Sequence, residues 1–366
     1  MTPVRATTPV RETTRVALHG AGWISMAHAA AARHLGYDLT AVASRTPERA
    51  AKLAETFGST AVTYADLPGQ ADIVVVATPP QCHAADAIRM LEAGAAVLLE
   101  KPLCRTLAEA DQLVAAAARH GGRLLYAENL AYAPIVQRMV ALTPRVGALT
   151  HLTVRTLQGL PTWGEFTSDE WGGGALFDLG VHPLAIALLV ANAAGQGRPV
   201  AVAAQLRGGL GHGSDEHAEV SLRYASGLVS HVTASWQAGP ESVWDAQVAG
   251  VSGVVRAELL PVQLLELNGD EVALPAAGGP IPALDQLGYN EQLRALAADT
   301  AAGREPVMSA AFGREVLQVV LAAYQSAGRR GDDVELPFTG PPDLTPLQLW
   351  RLGEAETPDA VRVLGP

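Results

Sequence analysis

Short β-branched runs alternate with Ala-rich stretches of helical length along the first third of the chain. That rhythm admits little besides a parallel sheet wrapped by helices. The strand-like runs are Val16–His19, Leu39–Ser44, Asp72–Thr78, Ala96–Glu100 and Arg123–Ala127. Those at 72–78 and 96–100 are almost wholly apolar rather than alternating, so both of their faces must be covered. Between the runs lie the helical stretches Trp23–Leu35, Pro47–Phe57, His83–Ala93 and Leu107–His120. Pro47 suits a first helical turn, and Gly58, Gly94 and Gly121 sit where helices stop. Right-handed crossovers thread these pieces into a doubly wound sheet.

The rhythm changes after Asn129. Helical stretches at Pro134–Leu142 and His182–Ala194 flank a Gly- and Trp-rich loop at 158–174. Alternating runs follow, clearest in Ala218-Glu-Val-Ser-Leu-Arg-Tyr224, and the pattern continues through Leu228–Trp236, Ser242–Ala249 and Val254–Leu260. Such alternation predicts half-buried strands of an antiparallel sheet. Two late helices, Leu284–Ala302 and Ala310–Ser326, precede a short strand at Val334–Leu336. The expected organisation is a flexible tail at 1–14, a dinucleotide-binding domain at 15–129, a substrate-binding and oligomerisation domain at 130–337, and a Pro-rich tail or partner-contacting arm at 338–366.

Composition narrows the partners. A chain of 366 residues is long for one core and suits about two domains. Hydrophobic residues make up 49% and charged ones 17%, which supports a packed interior. The net charge of -11 carries no basic stripe, so nucleic acid is not an expected partner. No apolar run reaches the ~18 residues of a membrane span. The first fourteen residues lack the apolar stretch of a secretory signal. Cys82 and Cys104 offer neither a disulfide framework nor metal-ligand spacing, and the histidines form no metal motif. The expected setting is cytoplasmic.

His19-Gly20-Ala21-Gly22-Trp23-Ile24-Ser25 closes the first strand and opens the first helix. Gly20 permits a tight turn, and Gly22 lets the backbone approach a pyrophosphate. The N–H groups of the first helical turn, around Trp23 and Ile24, would meet that anion. Ser25 replaces the third glycine of the fingerprint. The second strand ends in Ser44-Arg45-Thr46 rather than in an acidic residue, and Asp38 lies at its far end. A guanidinium flanked by hydroxyls suits a 2′-phosphate, so NADP is expected in preference to NAD. The fold class implied is α/β: an N-terminal Rossmann doubly wound parallel sheet followed by a C-terminal α/β domain with a large, mostly antiparallel open sheet.

Ala77-Thr-Pro-Pro-Gln-Cys-His83, Leu91-Glu-Ala-Gly94, Glu100-Lys101-Pro102 and Gly173-Gly174-Ala-Leu-Phe-Asp178-Leu-Gly-Val-His182 occur in that order. Together they resemble the Gfo/Idh/MocA oxidoreductases, over most of residues 15–337. The resemblance implies a tightly held NAD(H) or NADP(H), a substrate between the domains, and a homodimer or homotetramer built through the C-terminal sheet. It implies that Lys101 is the catalytic lysine and that Asp178 and His182 form an acid–histidine pair. Thr78, Pro79, Glu100 and Asn129 match positions on the cofactor side. Ala131 stands where the family commonly has arginine, and Ala185 where many members carry aspartate, which weakens the usual polyol-binding pattern.

The residues agree with those roles. Lys101 ends a buried strand, at the edge where doubly wound sheets bind ligands. Asp178 and His182 are four apart, a spacing that puts them on one helix face and lets the carboxylate fix the imidazole tautomer, although Pro183 would break a helix begun before residue 179. His28 and His83 are helix residues for which packing or capping is a sufficient account. Trp163, Glu165, Phe166 and Trp171 offer either an apolar platform for a sugar ring or a plug between domains. The expected reaction is hydride transfer between nicotinamide C4 and a secondary alcohol or ketone of a sugar or polyol. His182 would act as base oriented by Asp178, and Lys101 would steady the alkoxide. Two other readings stay open: an NAD-dependent glycosidase working by transient oxidation, and a non-catalytic cofactor-binding sensor.

Overall fold

The computed structural model describes residues 13–208 and 213–356. The N-terminal runs form β1 (Arg15–His19), β2 (Asp38–Ala43), β3 (Thr60–Val62), β4 (Ile73–Val76), β5 (Ala96–Glu100) and β6 (Leu124–Ala127). They pair in parallel in the order β3-β2-β1-β4-β5-β6, the doubly wound order whose ligand crevice opens at the strands' carboxyl ends. Every residue of β4 and β5 is buried, as their unbroken apolar runs require. The edge strand β3 carries no apolar period, because Thr60 and Ala61 face solvent, so nothing in the pattern announced it.

Around this sheet lie α1 (Trp23–His34), α2 (Pro47–Phe57), α3 (Pro80–Glu92) and α4 (Leu107–Arg119). A capping box starts α4: the Thr106 hydroxyl accepts the Glu109 N–H, and the Glu109 carboxylate accepts the Thr106 N–H.

The chain then forms α5 (Pro134–Leu142), β7 (Leu149–Leu157), α6 (Ala175–Asp178), α7 (Val181–Ala193), β8 (Pro199–Arg207), β9 (His217–Tyr224), β10 (Val229–Ser235), β11 (Val243–Gly250), β12 (Gly253–Leu260), β13 (Leu264–Leu267) and β14 (Asp270–Glu271). It closes with α8 (Pro282–Gln286), α9 (Tyr289–Ala302), α10 (Ala310–Gly328), β15 (Val334–Glu335) and α11 (Pro346–Glu356). The second sheet runs β14-β13-β12-β11-β7-β10-β9-β8-β15, antiparallel throughout except between β7 and β10. Along β9 buried and non-buried residues alternate strictly, so one face meets helices and the other looks outward. Helix α7 is buried on nearly all sides and is correspondingly apolar around its whole circumference.

Three expectations change. Asp178 and His182 do not share one helix: α6 ends at Asp178 and α7 restarts at Val181, with Pro183 in its first turn, where a missing N–H leaves no hydrogen bond unmade. Helix α9, placed by sequence in the second domain, packs on α1; Leu293 and Leu296 join the core of Val16, Leu18 and Ala29. The segment from Phe338, expected to be a tail or arm, docks instead. Leu347 and Leu349 of α11 are buried, and the backbones of α10 and α11 approach so closely at Gly328 and Gly353 that a Cβ on Gly353 would lie 2.9 Å from Gly328. Residues 1–12 and 357–366 of the expected tails lie outside the described residues.

Candidate active site

The turn after β1 is built for a close backbone approach. Gly20 has φ +126°, and a Cβ there would stand 2.4 Å from the Ala77 carbonyl oxygen. Gly22 is the N-cap of α1 with no side-chain cap, and open space surrounds the place where its Cβ would be. The helix therefore presents N–H groups without internal partners toward the crevice, a fitting seat for a pyrophosphate. Ser25 is buried against the sheet, and Ile24 is half-buried. Ser44 and Thr46 flank an exposed Arg45 at the carboxyl end of β2, while Asp38 opens that strand at the opposite end. The Thr78 hydroxyl donates to Asp86 at 2.9 Å, fixing the turn with Pro79 that leads into α3. This set fits a nicotinamide dinucleotide.

Lys101 follows β5 directly, and its peptide bond to Pro102 is cis. Its ammonium donates to Asp178 twice, to Oδ1 at 2.7 Å and to the main-chain carbonyl at 2.9 Å. On the neighbouring strand, Ala127 pairs with Glu100, and Glu128 follows it. The His182 Nδ1–H donates to Glu128 Oε1 at 2.7 Å, and the Trp244 ring lies 5.6 Å away. The two adjacent strand ends thus each hold one residue of the segment 178–182. The carboxylate serving the imidazole is Glu128, not Asp178 as expected; the restart of the helix at Val181 separates the two functions.

No local sequence signal marks Glu128: the motif around Asn129 points to its asparagine and its absent arginine, and only the fold brings the preceding glutamate to His182, 54 residues away. The Asn129 side chain itself donates to the Leu287 carbonyl at 2.7 Å. Glu100 is likewise engaged: Oε1 accepts from His28 Nε2 at 2.6 Å, and Oε2 accepts the Lys101 N–H at 3.0 Å. Burial pushes the Glu100 carboxyl up, but the His28 hydrogen bond and the charges of His28 and Lys101 outweigh that and hold it below its ordinary value. His83 lies fully inside, with Nδ1 2.8 Å from the Pro102 carbonyl and Nε2 2.7 Å from that of Thr78, so it ties two crevice loops together. Burial lowers its pKa.

The loop 158–174 crosses to the first sheet. Trp163 stacks on Trp23 with ring centroids 5.0 Å apart, the Gln81 amide donates to Glu170 at 3.0 Å, and Arg105 donates to the Glu170 carbonyl at 3.1 Å. Phe166 sits edge-on to Trp171 and lies 6.0 Å from the Lys101 ammonium. Behind the glycine triplet, the buried Asp215 accepts the Leu176 N–H at 2.8 Å and the Tyr324 hydroxyl, and its carbonyl accepts the Ala175 N–H. These bonds seat the first turn of α6 and hence Asp178. Among the described residues no three His, Cys, Asp or Glu side chains converge as metal ligands, and no helix is long and apolar enough to cross a membrane.

Residues 14–128 match the profile described as an oxidoreductase family with an NAD-binding Rossmann fold, and residues 137–256 match a GFO/IDH/MocA C-terminal domain. D-glucoside 3-dehydrogenase of Escherichia coli is 32% identical over 188 residues, 48% of this chain and 53% of that protein. The scyllo-inositol 2-dehydrogenase (NADP(+)) of Bacillus subtilis is 28% identical over 182 residues, 46% of this chain and 55% of that one. The chain thus spans about half the length of these two relatives. D-apiose dehydrogenase of Paraburkholderia graminis is 28% identical over 91% of this chain and 92% of its own length. Among solved structures, GenD2 from gentamicin A biosynthesis in complex with NAD is 27% identical, covers 92% of this chain and 99% of its own, and superposes with a TM-score of 0.78.

Proposed function

The chain belongs to the Gfo/Idh/MocA oxidoreductase family, and we propose that it is a nicotinamide-dependent dehydrogenase acting on a secondary alcohol of a sugar or polyol, or on the corresponding ketone. One observation carries the reading: Lys101 and Glu128 end adjacent strands at the ligand edge of the first sheet and hold Asp178 and His182 of the second domain. On this reading, a hydroxyl placed there would meet an ammonium donor and an imidazole together.

Gly20, Gly22 and the first turn of α1 would seat the pyrophosphate, Arg45 with Ser44 and Thr46 a 2′-phosphate, and Thr78 and Pro79 the nicotinamide side. The bound nicotinamide supplies the hydride acceptor or donor. Lys101, aimed by Asp178, hydrogen-bonds the reacting oxygen and steadies its developing charge. His182 takes the hydroxyl proton in oxidation and returns it in reduction. Trp163, held on Trp23, and Trp171, held on Phe166, act on this reading as a strap that keeps water from the crevice rather than as a free sugar platform. The outward face of the second sheet, where Arg155 pairs with Asp245 and Arg207 with Glu219, is the surface we assign to dimer or tetramer assembly.

The test is a titration of the purified protein with NADP and NAD, then a sugar and polyol panel followed at the reduced-nicotinamide absorbance band. Lys101→Ala should lower turnover about 10²- to 10³-fold while cofactor still binds. Full turnover in that variant refutes the assignment. Release of an aglycone without net change in cofactor absorbance would favour the glycosidase instead.

A further inference from the structure

Glu128 is fully buried, one residue beyond the end of β6, and its Oε1 accepts the Leu130 N–H at 3.3 Å besides the His182 Nδ1–H at 2.7 Å. Its Oε2 is buried without a hydrogen-bond partner among the described residues. Such a carboxylate, deprived of water and given a single ring N–H, interacts strongly with whichever proton state that ring adopts. Because Nδ1 is committed to Glu128, the ring's remaining nitrogen, Nε2, is the atom left for a ligand. No hydrogen bond engages Nε2 among the described residues. The groups around the pair are Trp244 of β11 against the imidazole, Tyr126 of β6 and Tyr289 of α9 within electrostatic reach of Glu128, and Glu100 of β5 within reach of both tyrosines. Asp178 is occupied by Lys101.

We infer that Glu128 is the positioning carboxylate of His182, and that the site runs on two separate pairs: Glu128 with His182 for the proton, Asp178 with Lys101 for the oxygen. The inference rests on the dehydrogenase reading for its chemistry. In oxidation the substrate O–H bond breaks and its proton bonds to His182 Nε2. The oxygen's electron pair forms the carbonyl as the hydride leaves the same carbon for the oxidised nicotinamide. The imidazolium so formed keeps its Nδ1–H on the Glu128 carboxylate, which holds the ring orientation and offsets the new charge. The reduction runs the same transfers backwards.

Two measurements test this. In turnover, Glu128→Gln should lower kcat about 10²-fold or more with KM nearly unchanged, and should move the acid limb of the kcat/KM profile to lower pH. Glu128→Asp, which keeps a carboxylate on a shorter stem, should recover part of the loss. The second measurement needs no substrate. In the cofactor-bound protein, ¹⁵N NMR of His182 should show Nδ1 protonated in the neutral ring. Glu128→Gln should move its titration midpoint down by about one pH unit, and Asp178→Asn should leave it in place. An unmoved midpoint in Glu128→Gln, or an equal shift in Asp178→Asn, overturns the inference. Absence of turnover with every substrate counts against the dehydrogenase reading alone, since the NMR comparison still decides the pairing.

Discussion

His28 Nε2 and Glu100 Oε1 meet at 2.6 Å inside the protein, joining the first helix to the strand end that carries Lys101. The same carboxylate accepts the Lys101 N–H through its other oxygen, so a buried pair braces the backbone of the candidate catalytic lysine from behind. Neither residue needs to touch substrate to matter.

Because the folded Glu100 carboxyl is held below its ordinary value of 4.5, its contribution to stability is present above that value and is lost as pH falls through the lower folded one. Glu100→Gln should therefore be less stable than the parent by about 1–3 kcal/mol at neutral pH, with the gap narrowing in acid. Urea unfolding of both proteins across pH 3 to 8 (about that range suffices to span the transition) measures it. A gap that widens in acid contradicts the pairing.

Asp215 has the opposite sign. Burial raises its carboxyl to about 6, against the hydrogen bonds from Tyr324 and Leu176 that pull it down. A raised folded value means that stability is fully present below the ordinary carboxylate range and is lost as pH rises toward 6. Relative to Asp215→Asn, the parent should lose about 2–3 kcal/mol over that window, read as the difference between two denaturation series.

The two glycines of the nucleotide turn should behave differently. Gly20→Ala sets a Cβ 2.4 Å from the Ala77 oxygen at a positive φ, so it should cost about 2–4 kcal/mol of stability and abolish cofactor binding. Gly22→Ala meets open space and should fold within about 1 kcal/mol of the parent, yet bind the dinucleotide at least about tenfold more weakly, because its Cβ would enter the seat proposed for the pyrophosphate. Thermal unfolding paired with cofactor titration separates the two effects.

Arg45→Ala should weaken NADP by about 10- to 100-fold, roughly 1.4–2.8 kcal/mol, and leave NAD within about twofold. Tighter binding of NAD than of NADP by the parent would overturn the role of Arg45 without touching the fold.

Much of this molecule was legible from its residues. The apolar runs at 72–78 and 96–100, the glycines at 20 and 22, and Lys101 at a strand end all follow from local rules of periodicity, turn geometry and strand edges, and the structure places each where those rules put it. Helix propensity and proline chemistry also flagged trouble at Pro183, although not its resolution into two helices. What escaped was pairing. Glu128 and His182 lie 54 residues apart, and His28 and Glu100 lie 72 apart. A spacing of four suggested that Asp178 served His182, but a break of two residues turned that carboxylate toward Lys101 instead. The docking of α9 and α11 was equally hidden, since a weak apolar pattern becomes a buried one only when another part of the chain covers it. Local geometry is written in neighbouring residues, whereas the partner of a buried charge is selected by which strand ends the tertiary fold sets side by side.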